Sequence, residues 1–377
     1  MNRIDCDAVI IGGGPAGAVA GIYLSRAGLN TIIAERKVFP RETLCGEFLS
    51  LEVTTLLREL GLFQKFLSLN PNLISSFQFT SRRRRFSTRL PFDGYSLKRS
   101  VFDNFLLSEA SKSSSEILQP AEVKDVTCKG EGFITRIQSE GKLLDIHSRF
   151  VLGAFGKVGF LDRKLNRKDS MLNTGYKGIK FHIRKESLSG LNDSCIYIHA
   201  GNNIYCGVNT VSSEEAAVCF LSKQDSKHSS VPDHFAQLLE ENEYMRTLFR
   251  GRFPELKNLE VYGAGNIYFG SKELIKNGVI MIGDAAKVIA PLAGDGIGIA
   301  FQSAKIASNL LISHNHKKIN YSEIEYQYKS KWKDQFSGRM RTSRIVQEVI
   351  MRDQYMGLIP GNLIQSALPS IITATRN

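Results

Sequence analysis

The run Gly12-Gly13-Gly14-Pro15-Ala16-Gly17 constrains this chain more than any other feature. It follows an apolar segment, 7–12, whose unbroken hydrophobicity predicts a strand buried in a parallel sheet. Residues 15–27 predict a helix with Gly28 as its stop, and 30–35 predict the next strand. Together they make a βαβ unit. In that setting each glycine has a task. Gly12 permits the tight turn, Gly14 lets the backbone approach a pyrophosphate, and Gly17 lets helix and strand pack closely. The helix start adds free amides and a partial positive charge suited to phosphate.

Glu35 closes the second strand, where a carboxylate accepts hydrogen bonds from an adenosine ribose. An acid there disfavours NADP as the ligand of this unit and leaves NAD and FAD open. The bland alternative is a helix-packing glycine run with a surface glutamate.

Further along, residues 51–67 predict an amphipathic helix, 73–90 contain β-like segments, and 100–111 predict a helix with Ser100 as its cap. A hairpin is expected over 132–152, mostly strands over 174–221 and a helix over 232–249. A strand is expected over 278–283, a helix over 296–313, and mainly helix from 321 onward. Strands alternating with helices, interrupted by a strand-rich block, imply α/β with an inserted β-sheet domain.

A second signal runs from 278 to 298: Gly-Val-Ile-Met-Ile-Gly-Asp-Ala-Ala-Lys-Val-Ile-Ala-Pro-Leu-Ala-Gly-Asp-Gly-Ile-Gly. It resembles the Gly-Asp motif of the para-hydroxybenzoate hydroxylase and geranylgeranyl reductase superfamily. A third match, Arg99-Ser100-Val101-Phe102-Asp103, resembles that superfamily's Arg-x-x-Phe-Asp segment, and Pro40-Arg41 with Cys45-Gly46 resembles the Pro-Arg…Cys-Gly segment of geranylgeranyl reductase-like proteins. The resemblance implies FAD as cofactor. Asp284 would then bind a ribityl hydroxyl, and the loop from Pro291 through Gly294, Gly296, Ile297 and Gly298 would lie beside the isoalloxazine ring. Arg99 would reach the phosphates or the flavin edge. The same resemblance extends the expected cofactor contacts to Gly12, Gly14, Pro15, Ala16, Gly17, Glu35, Arg36, Arg41, Cys45 and Gly46. The implied fold is a Rossmann-type FAD-binding domain (1–75, 95–165 and 262–318), a β-rich substrate domain (76–94 and 166–261) and a helical C-terminal segment (319–377).

Some positions depart from the pattern. Ala154-Phe155-Gly156 stands where many hydroxylases carry Ala-Asp-Gly. Tyr205-Cys206-Gly207-Val208-Asn209 is the nearest stretch to the aromatic-x-Trp-x-Phe-Pro segment of lipid-type geranylgeranyl reductases, and lacks the Trp and Pro. The Trp-x-Trp-x-x-Pro motif of flavin halogenases is absent, Trp332 being the single tryptophan. Cys45 is the candidate catalytic residue, as proton donor or redox tuner with Arg41 favouring its thiolate. Its alternative is a small buried hydrophobe.

Composition bounds the rest. Of 377 residues, 42% are hydrophobic and 23% charged, which suits a folded chain and argues against disorder. The net charge of +12 suits an anionic cofactor, an acidic carrier or a membrane surface, or simply a basic solvated face. The run Arg82-Arg83-Arg84-Arg85 with Arg89 could meet a phosphopantetheine carrier, coenzyme A or anionic lipid; a charge-guarded edge strand is the alternative. No nucleic-acid motif accompanies it. The six cysteines form no Cys-x-x-Cys pair, so no metal site and a reducing, cytoplasmic setting are expected. The apolar stretch 355–372 could close a substrate tunnel, touch a membrane from one side, or simply pack.

The expected chemistry follows. NAD(P)H reduces FAD transiently, and the flavin then reduces a carbon–carbon double bond of a hydrophobic, prenyl- or polyketide-like substrate, free or carrier-bound. Two alternatives stay open: a monooxygenase acting on an aromatic or polyketide-like substrate, and a non-catalytic FAD-binding protein.

Overall fold

The computed structural model describes residues 3–157, 160–167, 174–223, 231–251, 258–270, 272–317, 319–352 and 356–376. Among these residues two eight-stranded sheets organise the chain.

The first sheet is built around the strand Arg3–Ile11, which pairs in parallel with Thr31–Ala34 on one side and Lys142–Gly153 on the other. Ser115–Leu118 and Val279–Met281 extend it in parallel, and the hairpin Ala121–Lys129/Gly132–Ser139 attaches to Lys142–Gly153. Its central strands are buried on both faces, which explains their unbroken apolar sequence. The helix Pro15–Arg26 packs on this sheet against Gly296–Asn315 and Arg99–Lys112. Gly28, at φ +83°, ends the first helix: its N–H reaches the Ser25 carbonyl, and the Leu29 N–H reaches Leu24.

Two local expectations need correction. The single helix expected over 51–67 is two, Leu51–Glu59 and Phe63–Leu67, because Gly61 takes φ +68° and breaks the run. Ser100 does not cap its helix. Lys98 holds that position, and the Ser100 hydroxyl donates instead to Glu42 Oε1 at 2.5 Å.

The second sheet runs Tyr262–Gly265, Tyr176–Arg184, Glu215–Lys223, Ile204–Thr210, Cys195–Gly201, Asn72–Ser81, Arg84–Ser96 and Phe48–Leu49. Its strands alternate. Ile204, Cys206 and Val208 enter a core with Phe181, Val218 and Phe235 beneath the helix Val231–Glu241. Tyr205, Gly207 and Asn209 face the other way, toward the first sheet's domain.

The basic run divides by role. Arg82 and Arg83 make the hairpin turn, while Arg84 turns inward and donates to the carbonyls of Met356 and Ile359 at 2.6 and 2.7 Å. This fastens the chain before the last helix, Gly361–Ala374, which packs on Arg84–Ser96 through Ile364, Leu368 and Ile372. Leu358 and Leu363 of the same stretch stay exposed. No helix among the described residues is long and apolar enough to cross a membrane.

Candidate cofactor and substrate cavity

A cavity of about 790 Å³ lies between the two sheets. This is within the roughly 300–1,000 Å³ usual for ligand sites. On one side it receives the carboxyl ends of the parallel strands, at Ile11, Ala34 and Ile282, which is where open α/β sheets bind ligands. On the other it receives the face of the second sheet that carries Ile196, Ile198, Tyr205, Asn209 and Cys219.

Of the residues expected to contact the cofactor, all but Gly17 and Gly298 line this cavity. Those two serve packing. A Cβ on Gly17 would sit 1.9 Å from the Gly12 carbonyl oxygen, and one on Gly298 would sit 2.2 Å from Asp295 Oδ1. Gly12 itself takes φ +109°, and its missing Cβ would lie 2.5 Å from the Ala154 carbonyl oxygen. Beside Gly14 the nearest atom to such a Cβ is Arg41 Nη2 at 3.6 Å. The helix that follows has no side chain capping its N-terminus, so its first amides open on the cavity.

Glu35 is only 5% exposed, and its two oxygens accept from Gly13 N at 2.8 Å and Lys37 N at 2.9 Å. Arg41 lies 3.9 Å from Glu35 and 3.4 Å from Asp103, over the Phe39 ring. The guanidinium that bonds Cys45 is that of Arg99. Burial pulls the Arg99 pKa down, but Asp103, and behind it Cys45, raise it beyond the ordinary guanidinium value. The Arg99 side chain is fixed by paired bonds to Asp103 of 2.6 and 2.7 Å.

The Gly-Asp turn is anchored from behind. Asp284 sits in the short 3₁₀ turn Gly283–Ala285, whose Ala285 carbonyl accepts from Arg167 at 2.9 Å. Arg167 also bonds Asp162 at 2.5 Å and the Glu273 carbonyl at 2.6 Å. In the loop that follows, Gly294 takes φ +62°, and the helix Gly296–Asn315 begins at the cavity wall. Asp295 turns its buried carboxylate away, toward Arg339, Ser50 and Arg376. Burial and Glu52 push it up to about 6 against the pull of the two arginines.

One cluster escaped the sequence reading. Lys180 is fully buried and donates to Glu42 Oε2 at 2.5 Å and Glu47 Oε1 at 2.7 Å. His182 Nε2 donates to Glu47 Oε2 at 2.6 Å, and Arg99 N–H to Glu47 Oε1 at 2.8 Å. The Glu47 N–H donates to Cys45 Sγ at 3.3 Å. Glu47 is held at φ +58°, a conformation that costs a non-glycine residue energy and persists where surroundings over-determine it. Burial alone would lower the Lys180 pKa; Glu47 and Glu42 reverse that and raise it. Glu42, Glu47 and His182 converge closely enough for a metal ion, but the Lys180 ammonium already donates to both carboxylates. The signal was present in the sequence: Lys180 and His182 alternate with Ile179, Phe181 and Ile183, so one strand face is apolar and the other charged.

An uncapped helix N-terminus, a buried carboxylate at the second strand's end, a second acid at Asp284 and a glycine loop at another helix start together could hold an FAD. A model of the FAD binding domain family matches residues 5–317. The chain belongs to that family and is an FAD-dependent oxidoreductase of the geranylgeranyl reductase and para-hydroxybenzoate hydroxylase-like superfamily. It is 25% identical to a 1H-pyrrole-2-carbonyl-[peptidyl-carrier protein] chlorinase of Pseudomonas fluorescens, over 83% of this chain and 77% of that one. It is also 25% identical to digeranylgeranylglycerophospholipid reductase 3 of Methanosphaera stadtmanae, over 90% and 85%. The fold matches a geranylgeranyl bacteriochlorophyll reductase-like protein of Thermoplasma acidophilum with a TM-score of 0.77 at 18% identity, covering 100% of this chain and 94% of the other.

Proposed function

We propose that this enzyme reduces a carbon–carbon double bond of a hydrophobic, prenyl- or polyketide-like substrate, with NAD(P)H as the reductant of its FAD. The adenosine ribose would rest on Glu35, the pyrophosphate on the amides of the Gly12–Gly17 turn, the ribityl chain on Asp284, and the flavin ring beside Pro291–Gly298. When bound, the flavin supplies a hydride.

The observation that carries this reading is Cys45. Saturating a double bond needs a proton as well as a hydride. The Cys45 thiol lies on the cavity wall, between the Arg99 guanidinium and the Glu47 N–H. Behind it, Glu47, Lys180 and His182 form a hydrogen-bonded, solvent-screened set of proton carriers. Apolar walls at Leu44, Ile196, Ile198 and Val288 exclude water and suit a hydrocarbon substrate. Trp332, the chain's one tryptophan, meets Phe336 edge-on at 4.6 Å in the helix Tyr321–Ile350 and takes no part in the cavity wall.

The test is anaerobic reduction of the FAD-loaded protein by NADPH or NADH, followed by an unsaturated lipid or polyketide, or by oxygen. Discharge of the reduced flavin by the unsaturated compound, slowed at least tenfold in Cys45→Ala, is the expected result. A long-lived hydroperoxide absorbance with substrate-stimulated oxygen uptake would establish a monooxygenase instead. Stable FAD with no reduction by either nucleotide would point to a non-catalytic flavoprotein.

A further inference from the structure

We propose that Asn209 donates a hydrogen bond to a carbonyl oxygen of the substrate, in a bay of the cavity floor that Gly207 keeps open. Its class is then an apolar molecule whose double bond is conjugated to a ketone, ester or thioester carbonyl. The class rests on the reductase reading; the carbonyl subsite does not.

Asn209 is 2% exposed, and its side-chain nitrogen is buried without a hydrogen-bond partner among the described residues. Yet the residue is part of the cavity wall. Among the described residues it is the one buried, unpartnered side-chain group on that wall. Asn242, at the far side of the same sheet, shows what this fold does with a buried asparagine that only builds structure. Its nitrogen donates to the carbonyls of Thr80 and Ala200 at 3.3 and 3.1 Å, and its oxygen accepts from Met245 N at 3.0 Å. A buried amide left unpaired is costly, so the free donor at Asn209 points to an acceptor that arrives with a ligand.

The register supplies the space. Tyr205, Gly207 and Asn209 succeed one another on the cavity face of Ile204–Thr210. Gly207 lies opposite Cys219 and Ile198, and a Cβ placed on it would meet nothing closer than Ile198 Cδ1 at 3.5 Å. The absent side chain leaves room beside Asn209, so that a turn of its amide about χ2 brings the nitrogen to the cavity. His182 and Asn209 both pair with Ala217, two strand spacings or roughly 10 Å apart, so the donor stands near the proton-bearing cluster. A carbonyl held there is polarised toward its oxygen. Bound FAD, once reduced, would supply a hydride to the far carbon of the conjugated bond, breaking its π bond. The electron pair moves toward the oxygen facing Asn209, and a proton delivered to the near carbon restores the carbonyl.

The experiment measures binding of two probes to oxidised, FAD-loaded protein by perturbation of the flavin spectrum. One is trans-4-phenyl-3-buten-2-one, the other its deoxygenated counterpart trans-1-phenyl-1-butene. The protein should bind the ketone roughly five- to tenfold more tightly, the margin of one hydrogen bond. Asn209→Leu should erase that preference without lowering the melting temperature, because it removes an unpaired polar group and keeps the volume. Asn209→Asp should bind the ketone more weakly still. Equal affinities, no detectable ketone binding, or a preference retained in Asn209→Leu overturns the subsite. So does a lower melting temperature in that variant, which marks the side chain as structural. No turnover is involved, so a ketone that binds as described but is not reduced refutes the reductase reading alone.

Discussion

Lys180, on the strand Tyr176–Arg184, donates at 2.7 Å to Oε1 of Glu47, which immediately precedes Phe48–Leu49, and neither side chain is exposed to solvent. Each charge is therefore tolerable only because of the other. Lys180→Met should cost about 3–5 kcal/mol, since it strands Glu47 and half-buried Glu42 without their cation. Adding Glu47→Gln to that variant removes the stranded charge and should return part of the loss. Denaturant unfolding of the two single variants and the double variant reads the coupling, expected to be about 1–3 kcal/mol. Strictly additive losses would mean the pair does not act as a unit.

Glu35 and Asp284 stand at opposite ends of the proposed FAD site. Glu35→Ala removes a carboxylate and also releases the Gly13 and Lys37 amides that it orders, so it should weaken FAD binding by more than tenfold. Asp284→Ala loses one acceptor while Arg167 still holds the turn, and should weaken binding by roughly tenfold. Titration of apoprotein with FAD, followed by flavin fluorescence, checks both. Unchanged affinity in the two variants removes the basis for the site.

The FAD-binding half was legible because its elements are local. A strand, a glycine turn and a helix within one short stretch carry their own geometry, and so does the loop from Asp284 to Gly298. The cluster around Glu47 was not legible, because it joins residues far apart in sequence. Glu47 meets Lys180 and His182 only once the second sheet has assembled with Phe48–Leu49 at its edge, and a single sequence records no such pairing. Sequence distance also hides partners: Arg41 stands four positions from Cys45 and reaches Asp103, while Arg99, on a later helix, faces the thiol. Ser100 read as a helix cap for the same reason, its partner Glu42 being invisible from the local pattern.

His199 gives the fold a pH limit. It is buried on the face of the second sheet away from the cavity, with Nδ1 2.7 Å from Thr80 Oγ1, and burial lowers its pKa to about 3. In the unfolded chain it titrates near 6.5. A depressed folded value means that the unfolded state binds the proton first. Stability is thus complete above about 6.5 and is lost as the pH falls toward 3, by an amount on the order of 4 kcal/mol for this one group. His199→Gln keeps a hydrogen-bonding side chain but cannot titrate. The difference in unfolding free energy between the native chain and this variant should fall by about one proton's slope across that window. A constant difference from pH 6.5 to 3 would show that His199 is already protonated in the fold.

Arg376 ties the last helix to the loop proposed to carry the flavin ring. Its Nη2 donates to the Ala293 carbonyl at 2.8 Å, and its Nη1 lies 3.4 Å from Asp295. Asp295 is also held by Arg339, so removal of Arg376 does not leave the carboxylate alone; it frees the carbonyl and lets Gly294 move. The expected consequence is specific to the loop. Arg376→Ala should release FAD about three- to tenfold faster, corresponding to one lost hydrogen bond, while the unfolding free energy of the apoprotein changes by less than about 1 kcal/mol. Arg376→Lys, which retains charge but not the forked donor, should fall between the two. Stopped-flow release of FAD into an excess of an FAD-specific apoenzyme measures the rate, and chemical unfolding measures the stability. If stability falls while the release rate holds, Arg376 secures the helix Gly361–Ala374 against the sheet, and the loop keeps its shape through Asp295 and Arg339 alone.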